Sequence, residues 1–177
     1  MDKPLVKSIG LLGGSFDPAH KGHLAISKIA IKKLRLYKIL WIVTKRNPLK
    51  GKPFYSLQLR INLARKIAKN YKKIQVIHLD KTAKSSSSVD IINYLIKKKK
   101  LKNIYFIIGS DNLMKLHRWK SWKKIVKMTK LTVFSRKGYD RKGKKSTVAK
   151  YLKNKINFIE NKPIEISSTK LRKKIHI

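Results

Sequence analysis

The chain has 177 residues, 42% of them hydrophobic, enough to bury a core within one domain spanning 1–177. It has no cysteine, which excludes disulfides and thiolate metal sites, and no apolar run of about 18 residues that would cross a membrane. Its 46 Lys and Arg against 8 Asp and Glu give a formal charge of +38 and leave no carboxylate cluster.

Taken in chain order, VKSIGLLGGSF (6–16) reads as a buried strand ending in a turn at Gly13 and Gly14. HLAISKIAIKKL (23–34) has helical spacing, and KILWIVT (38–44) is a second strand. NPLKGKPF (47–54) is a loop marked by Pro and Gly. A helix over 56–70 takes Ser56 as its N-cap, and KIQVIHL (73–79) is a third strand. The polar loop 80–88 leads to a helix over 89–100, then to a fourth strand, NIYFIIGS (103–110). WKSWKKIVKM (119–128) predicts a helix and KLTVFSRKG (130–138) a fifth strand. DRKGKKS (140–146) reads as a mobile loop. A short helix (147–154), a short strand (156–160) and a terminal helix (168–174) follow.

Strands alternate with helices, and the strands are solidly apolar, as strands covered on both faces should be. The pattern predicts a single Rossmann-like α/β fold: an open, mostly parallel sheet with helices on both faces. In such sheets ligands bind beyond the carboxyl ends of the strands. GGSFDPAHKGH (13–23) lies at one such end and GSDN (109–112) at another. The start, MDKPLVKSIGLL, lacks the apolar stretch of a signal peptide, so the expectation is a cytoplasmic protein without membrane contact.

The charge has three explanations: a nucleic-acid surface, attraction of a phosphorylated substrate, or a proteome rich in lysine. Only 8 of the 46 cations are arginine and the lysines are spread along the chain, which favours the last. No specific nucleic-acid partner is expected.

Two constellations carry chemistry. In the first, Gly13 and Gly14 allow close backbone approach, while Asp17 and Pro18 shape the turn. His20 and His23 fall in the first turn of a helix, whose N-terminus favours phosphate. Metal binding by this pair lacks further ligands: His78, His117 and His176 are scattered. The second constellation, ISSTKLR (166–172), offers Ser167, Ser168, Thr169 and Arg172 to an anion, or simply caps a helix.

These stretches resemble a known family. GGSFDPAHKGH is similar to the G-x-F-D-P-x-H-x-G-H motif of bacterial nicotinate-nucleotide adenylyltransferases, of the H-x-G-H nucleotidyltransferase superfamily. ISSTKLR resembles their I-S-S-T-x-x-R element, GSDN with the following Trp119 and Trp122 resembles G-[AS]-D-N…W-x-x-W, and SSSVD (86–90) resembles S-Y-T-x-D. Leu49 stands where the family usually has histidine, Ser87 where it has tyrosine and Ser88 where it has threonine.

The resemblance implies transfer of AMP from ATP to nicotinate mononucleotide, giving deamido-NAD and pyrophosphate. It places Gly13, Gly14, Ser15, Phe16, Gly109 and Asp111 on ATP. His20, His23, Ser167, Ser168, Thr169 and Arg172 would hold its phosphates, with His20, His23 and Arg172 catalytic. It assigns Lys50, Ser88, Asp111, Trp119 and Arg136 to the nicotinate mononucleotide side. It implies Mg²⁺ carried mainly on the ATP phosphates, with no protein metal cage, and leaves room for a homo-oligomer. Two alternatives stay open at this point: a sister transferase using nicotinamide mononucleotide or phosphopantetheine, and a basic nucleic-acid-binding module.

Overall fold

The computed structural model describes residues 7–46, 51–161 and 167–173, without the side chains of Lys170 and Lys173. Six strands form one sheet: β1 (Ile9–Gly14), β2 (Lys38–Val43), β3 (Ile74–Ile77), β4 (Ile104–Gly109), β5 (Lys130–Phe134) and β6 (Asn157–Ile159). Their order is β3-β2-β1-β4-β5-β6, and every pairing is parallel. The eight α-helices of the described residues are α1 (Lys21–Lys33), α2 (Leu57–Ala68), α3 (Ser88–Lys99), α4 (Ser110–Leu113), α5 (Trp122–Met128), α6 (Asp140–Lys144), α7 (Thr147–Leu152) and α8 (Ser168–Lys173). This is the open, Rossmann-like α/β sheet expected from the sequence.

The strand period of two divides the core between the faces of the sheet. Leu11, Leu40, Ile42, Phe106, Ile108, Leu131 and Val133 pack on one face with residues of α3, α5 and α7. Leu12, Ile39, Trp41, Val43, Ile107 and Phe134 pack on the other with residues of α1 and α2. Burial on both faces explains the nearly unbroken apolar strands.

The strand order reverses direction between β1 and β4. A crevice therefore opens beyond their carboxyl ends, at Gly14 and Gly109, which is where such sheets bind ligands.

Four expectations are corrected. Gly13 and Gly14 are still in β1, paired with Ile42 and Val43, and the tight turn comes after them. There Phe16, not a glycine, takes the left-handed conformation (φ 48°), at a cost on the order of 1 kcal/mol. Helix α1 begins at Lys21, two residues before His23, because His20 already caps it. Trp119 to Ser121 lie outside a helix: Ser121 has φ 50°, and α5 starts at Trp122. Finally, 140–144 is helix α6, not a loop. Gly143 lowers the propensity of that segment but lets it pack tightly: a Cβ there would lie 3.2 Å from the Ser110 carbonyl oxygen.

Among the described residues no helix is long and apolar enough to cross a membrane.

Candidate active site

The turn after β1 delivers two imidazoles to the start of α1. His20 is the N-cap, in extended conformation, and its Nδ1 accepts the Gly22 N–H at 3.1 Å. His23 returns the favour: its Nδ1 accepts the His20 N–H at 3.2 Å. The pair forms a capping box in which two histidines replace the usual Ser/Thr and Glu/Gln. The rings lie 4.0 Å apart, centroid to centroid.

This geometry fixes the tautomers. A ring nitrogen that accepts an N–H carries no proton, so each neutral imidazole is protonated on Nε2 and presents that group as a donor. Burial, and then the positive charge of Arg136, lower the His20 pKa from 6.5 to about 4. His20 is thus a neutral hydrogen-bond donor near pH 7. Behind it Phe16 stacks between His23 (4.7 Å) and the buried Trp41 (5.3 Å). Ser27 joins α1 to β2 by accepting the Trp41 indole N–H at 2.7 Å. The catalytic-looking pair therefore stands on a packed aromatic base.

At β4, Asp111 accepts the Arg136 guanidinium at 2.7 Å through Oδ2. Its Oδ1 is buried, with no hydrogen-bond partner, against Gly109. Ser87 caps α3 and donates to Asp90, which also receives Lys120 at 3.0 Å. These hydrogen bonds, Ser87 first and Lys120 second, hold the Asp90 carboxyl below the usual range. The ion pair ties the start of α3 to the segment bearing Trp119. Trp119 packs edge-on against Phe106 at 6.2 Å and also faces the crevice, so it serves core and site together.

One cavity of about 260 Å³ collects these groups. Gly13, Gly14, Ser15, Phe16, His20 and His23 line it from the β1 side. Gly109, Asp111 and Arg136 line it from the β4–β5 side, Ser88 and Trp119 from α3 and the 119–121 segment, and Ser167, Ser168 and Thr169 from the start of α8 and the residue before it. Elements from both ends of the chain thus meet: Ser168 donates to the Pro18 carbonyl at 2.9 Å.

Two predicted site residues are not among those that line this cavity. Lys50, with Leu49, lies outside the described residues. Arg172 does not line this cavity but a neighbouring one of about 300 Å³, which shares Ser15, Ser168 and Thr169 with it. There Arg172 donates to the Asp17 main-chain carbonyl and lies 3.5 Å from Asp17 Oδ2. Asp17 is more than a turn former: its buried carboxylate also accepts the Phe54 and Tyr55 N–H groups at 2.8 and 2.9 Å.

Sequence reasoning missed Arg60, which is buried beneath the turn at 2% exposure. The signal was present: a charged residue adjoining the buried stripe Ile61, Ala64 and Ala68 of α2. It also missed Arg46 and Thr44, which line the cavity at the end of β2.

A Rossmann-like sheet with paired imidazole donors and a triple hydroxyl at its switch point defines a nucleotide-binding enzyme of the H-x-G-H type. The chain belongs to the cytidylyltransferase-like family, whose sequence profile matches residues 11–174. A Pelagibacter ubique protein described as "Probable nicotinate-nucleotide adenylyltransferase" is 48% identical over 166 residues, covering 93% of this chain and 92% of that one. A Clostridium novyi protein of the same description is 33% identical over 175 residues, covering 96% and 88%. In structure the chain is similar to Plasmodium falciparum nicotinic acid mononucleotide adenylyltransferase complexed with NaAD. The TM-score is 0.75 at 20% identity, over 94% of this chain and 83% of that one, a likeness of fold.

Proposed function

We propose that this chain is a nicotinate-nucleotide adenylyltransferase. It joins the AMP moiety of ATP to nicotinate mononucleotide and releases pyrophosphate. The observation that carries the reading is the convergence, in one cavity, of the His20–His23 donor pair with Ser167, Ser168 and Thr169 from the far end of the chain. The extent of likeness to the Pelagibacter relative supports it.

In this reading a phosphate oxygen of the mononucleotide attacks the α-phosphorus of ATP in line. The bond from that phosphorus to the bridging oxygen breaks, and pyrophosphate leaves with the electron pair. The protein supplies no covalent nucleophile. Its Nε2–H groups on His20 and His23 donate to phosphate oxygens whose charge grows in the transition state. His20, neutral near pH 7, donates from Nε2 without first taking up a proton. The α8 hydroxyls hold the outgoing phosphates. Trp119 offers a flat face to the pyridine ring, and the Asp111–Arg136 pair and Ser88 shape that side.

Mg²⁺ usually keeps several waters and binds one or two carboxylates plus substrate phosphates. Among the described residues no three His, Asp or Glu side chains cluster as metal ligands, while Asp111 Oδ1 is an unsatisfied carboxylate oxygen. That donor set fits an ion borne on the nucleotide, with Asp111 as the residue that would hold it. The ion would neutralise phosphate charge.

The test is pyrophosphate release from ATP and Mg²⁺ with a panel of acceptors. Nicotinate and nicotinamide mononucleotides differ by a carboxylate against an amide of nearly equal shape. A site of N–H donors leaves the amide NH₂ unpaired, at about 1–3 kcal/mol, or roughly tenfold to a hundredfold in kcat/KM. We expect the nicotinate form to win by that margin. Equal values, or preference for phosphopantetheine, would sink the acceptor assignment. Absence of pyrophosphate release with every acceptor would sink the transferase reading.

A further inference from the structure

Arg60 sits in the first turn of α2, where Ser56 caps the helix by accepting the Leu59 N–H. Its guanidinium meets four main-chain carbonyls: Ser15, Thr44 at 2.8 Å, Lys45 at 3.0 Å and Tyr55 at 3.1 Å. Among the described residues no carboxylate lies within ion-pair distance of it. Burial lowers its pKa, and the more distant charges of Asp17 and Asp80 oppose that shift.

A charge so placed is expensive to bury, and an apolar side chain in its place would leave four carbonyls without this donor. What the guanidinium alone provides is a planar fork of five donors in fixed directions. The four carbonyls come from three separate segments. Ser15 belongs to the turn that carries Phe16 in its unfavoured conformation and leads to His20. Thr44 and Lys45 follow the end of β2. Tyr55 precedes α2, and its own N–H goes to Asp17 in the same turn. Arg60 and Asp17 therefore grip the Tyr55 main chain at its C=O and its N–H, and both anchor the turn between β1 and α1.

We propose that Arg60 is a positioning residue for adenylyl transfer: its fork locks the Ser15–His20 turn to β2 and to the approach of α2, and thereby fixes where the two histidine donors stand. The proposal rests on the adenylyltransferase reading above. Misplacing a reacting group by about 1 Å can cost roughly a hundredfold in rate. A lysine keeps the charge but has three donors on a tetrahedral nitrogen and cannot serve four carbonyls in this arrangement.

The experiment uses Arg60→Lys and Arg60→Met in the full chain, each checked for folding by circular dichroism. Three quantities are read: kcat, the Kd for a non-hydrolysable ATP analogue, and the His20 imidazole titration by NMR. Expected are a loss of about 10²-fold in kcat for both variants, a Kd within a few-fold of native, and a His20 midpoint raised from about 4 toward the ordinary imidazole range. General destabilisation of a still-folded enzyme would not move that midpoint. Recovery of most of the native kcat by Arg60→Lys overturns the proposal, since charge alone would then suffice. So does an unmoved His20 midpoint in a folded variant. Should both variants unfold, the native protein decides: the Arg60 guanidinium protons must exchange slowly and show couplings to the Ser15 and Thr44 carbonyls that persist with the analogue bound. A freely rotating guanidinium refutes the lock. If the native chain makes no dinucleotide, the functional reading falls, while the His20 titration still judges Arg60.

Discussion

Arg172 and Asp17, 155 positions apart, are joined twice: the guanidinium donates to the main-chain carbonyl of Asp17 and pairs with its carboxylate. This links α8 to the turn between β1 and α1. Arg172 is therefore a tie between the two ends of the site as well as a cation near it. Arg172→Ala should lower stability by about 1.5–3 kcal/mol, the worth of hydrogen bonds to a charged group. In a chain of this size that is a fall of roughly 3–12 °C in Tm. Calorimetry checks it, and a native Tm would show that the link contributes nothing to the fold.

Capping and catalysis can be separated at His20. Asparagine is among the best N-caps, so His20→Asn should keep α1 and the Tm while removing the Nε2 donor. His20→Ala should lose the cap as well, at about 1 kcal/mol. Both should lose about 10²–10³ in kcat, the cost of one transition-state donor. If His20→Asn turns over like the native enzyme, the ring serves only the helix.

The low His20 pKa has a consequence for acid stability. The folded value, about 4, lies below the ordinary 6.5, so protonation favours the unfolded chain. The contribution of the neutral ring is complete above pH 6.5. It falls as pH drops toward 4, with a slope of up to one proton. Urea melts of native protein and His20→Asn between pH 7 and 4 should diverge in this sense. Parallel curves would place the titration elsewhere.

Gly109→Ala tests the β4 side. A Cβ there would stand 2.5 Å from Asp111 Oδ1, too close to be tolerated. Asp111 must move, and its contact with Arg136 is disturbed. The expected result is a folded enzyme, less stable by about 1–3 kcal/mol, with a raised KM for the mononucleotide. An unchanged KM would remove Asp111 from the acceptor side.

Much of this was written in local patterns. Apolar runs fixed the strands, Ser56 announced α2, and the His20-x-x-His23 spacing located the site. What stayed hidden depended on contacts remote in sequence. Residues 140–144 look like a loop because Gly143 weakens the helix signal. Its purpose, close approach to Ser110, exists only once α4 and α6 are packed. The left-handed bend falls on Phe16 because the packing of its ring against His23 and Trp41 holds it there, whereas the neighbouring glycines drew the turn assignment. Arg60 showed only as a charge beside the buried stripe of α2; its partners stayed hidden because all are carbonyl groups, which every residue possesses.

The reciprocal cap of His20 and His23 also bears on how such an enzyme can diverge. Each ring has its Nδ1 committed to holding the helix, so a substitution that alters the chemistry also loosens α1 unless the new residue can cap. The start of α3 is held less exclusively: its cap, Ser87, meets Asp90 and Lys120 at the half-exposed rim, and Ser, Thr, Asp or Asn could each supply that cap. Descent with modification would therefore leave the phosphate end nearly immobile and let the choice of acceptor wander along the opposite wall. Departures such as Ser87 and Ser88 fall on that wall.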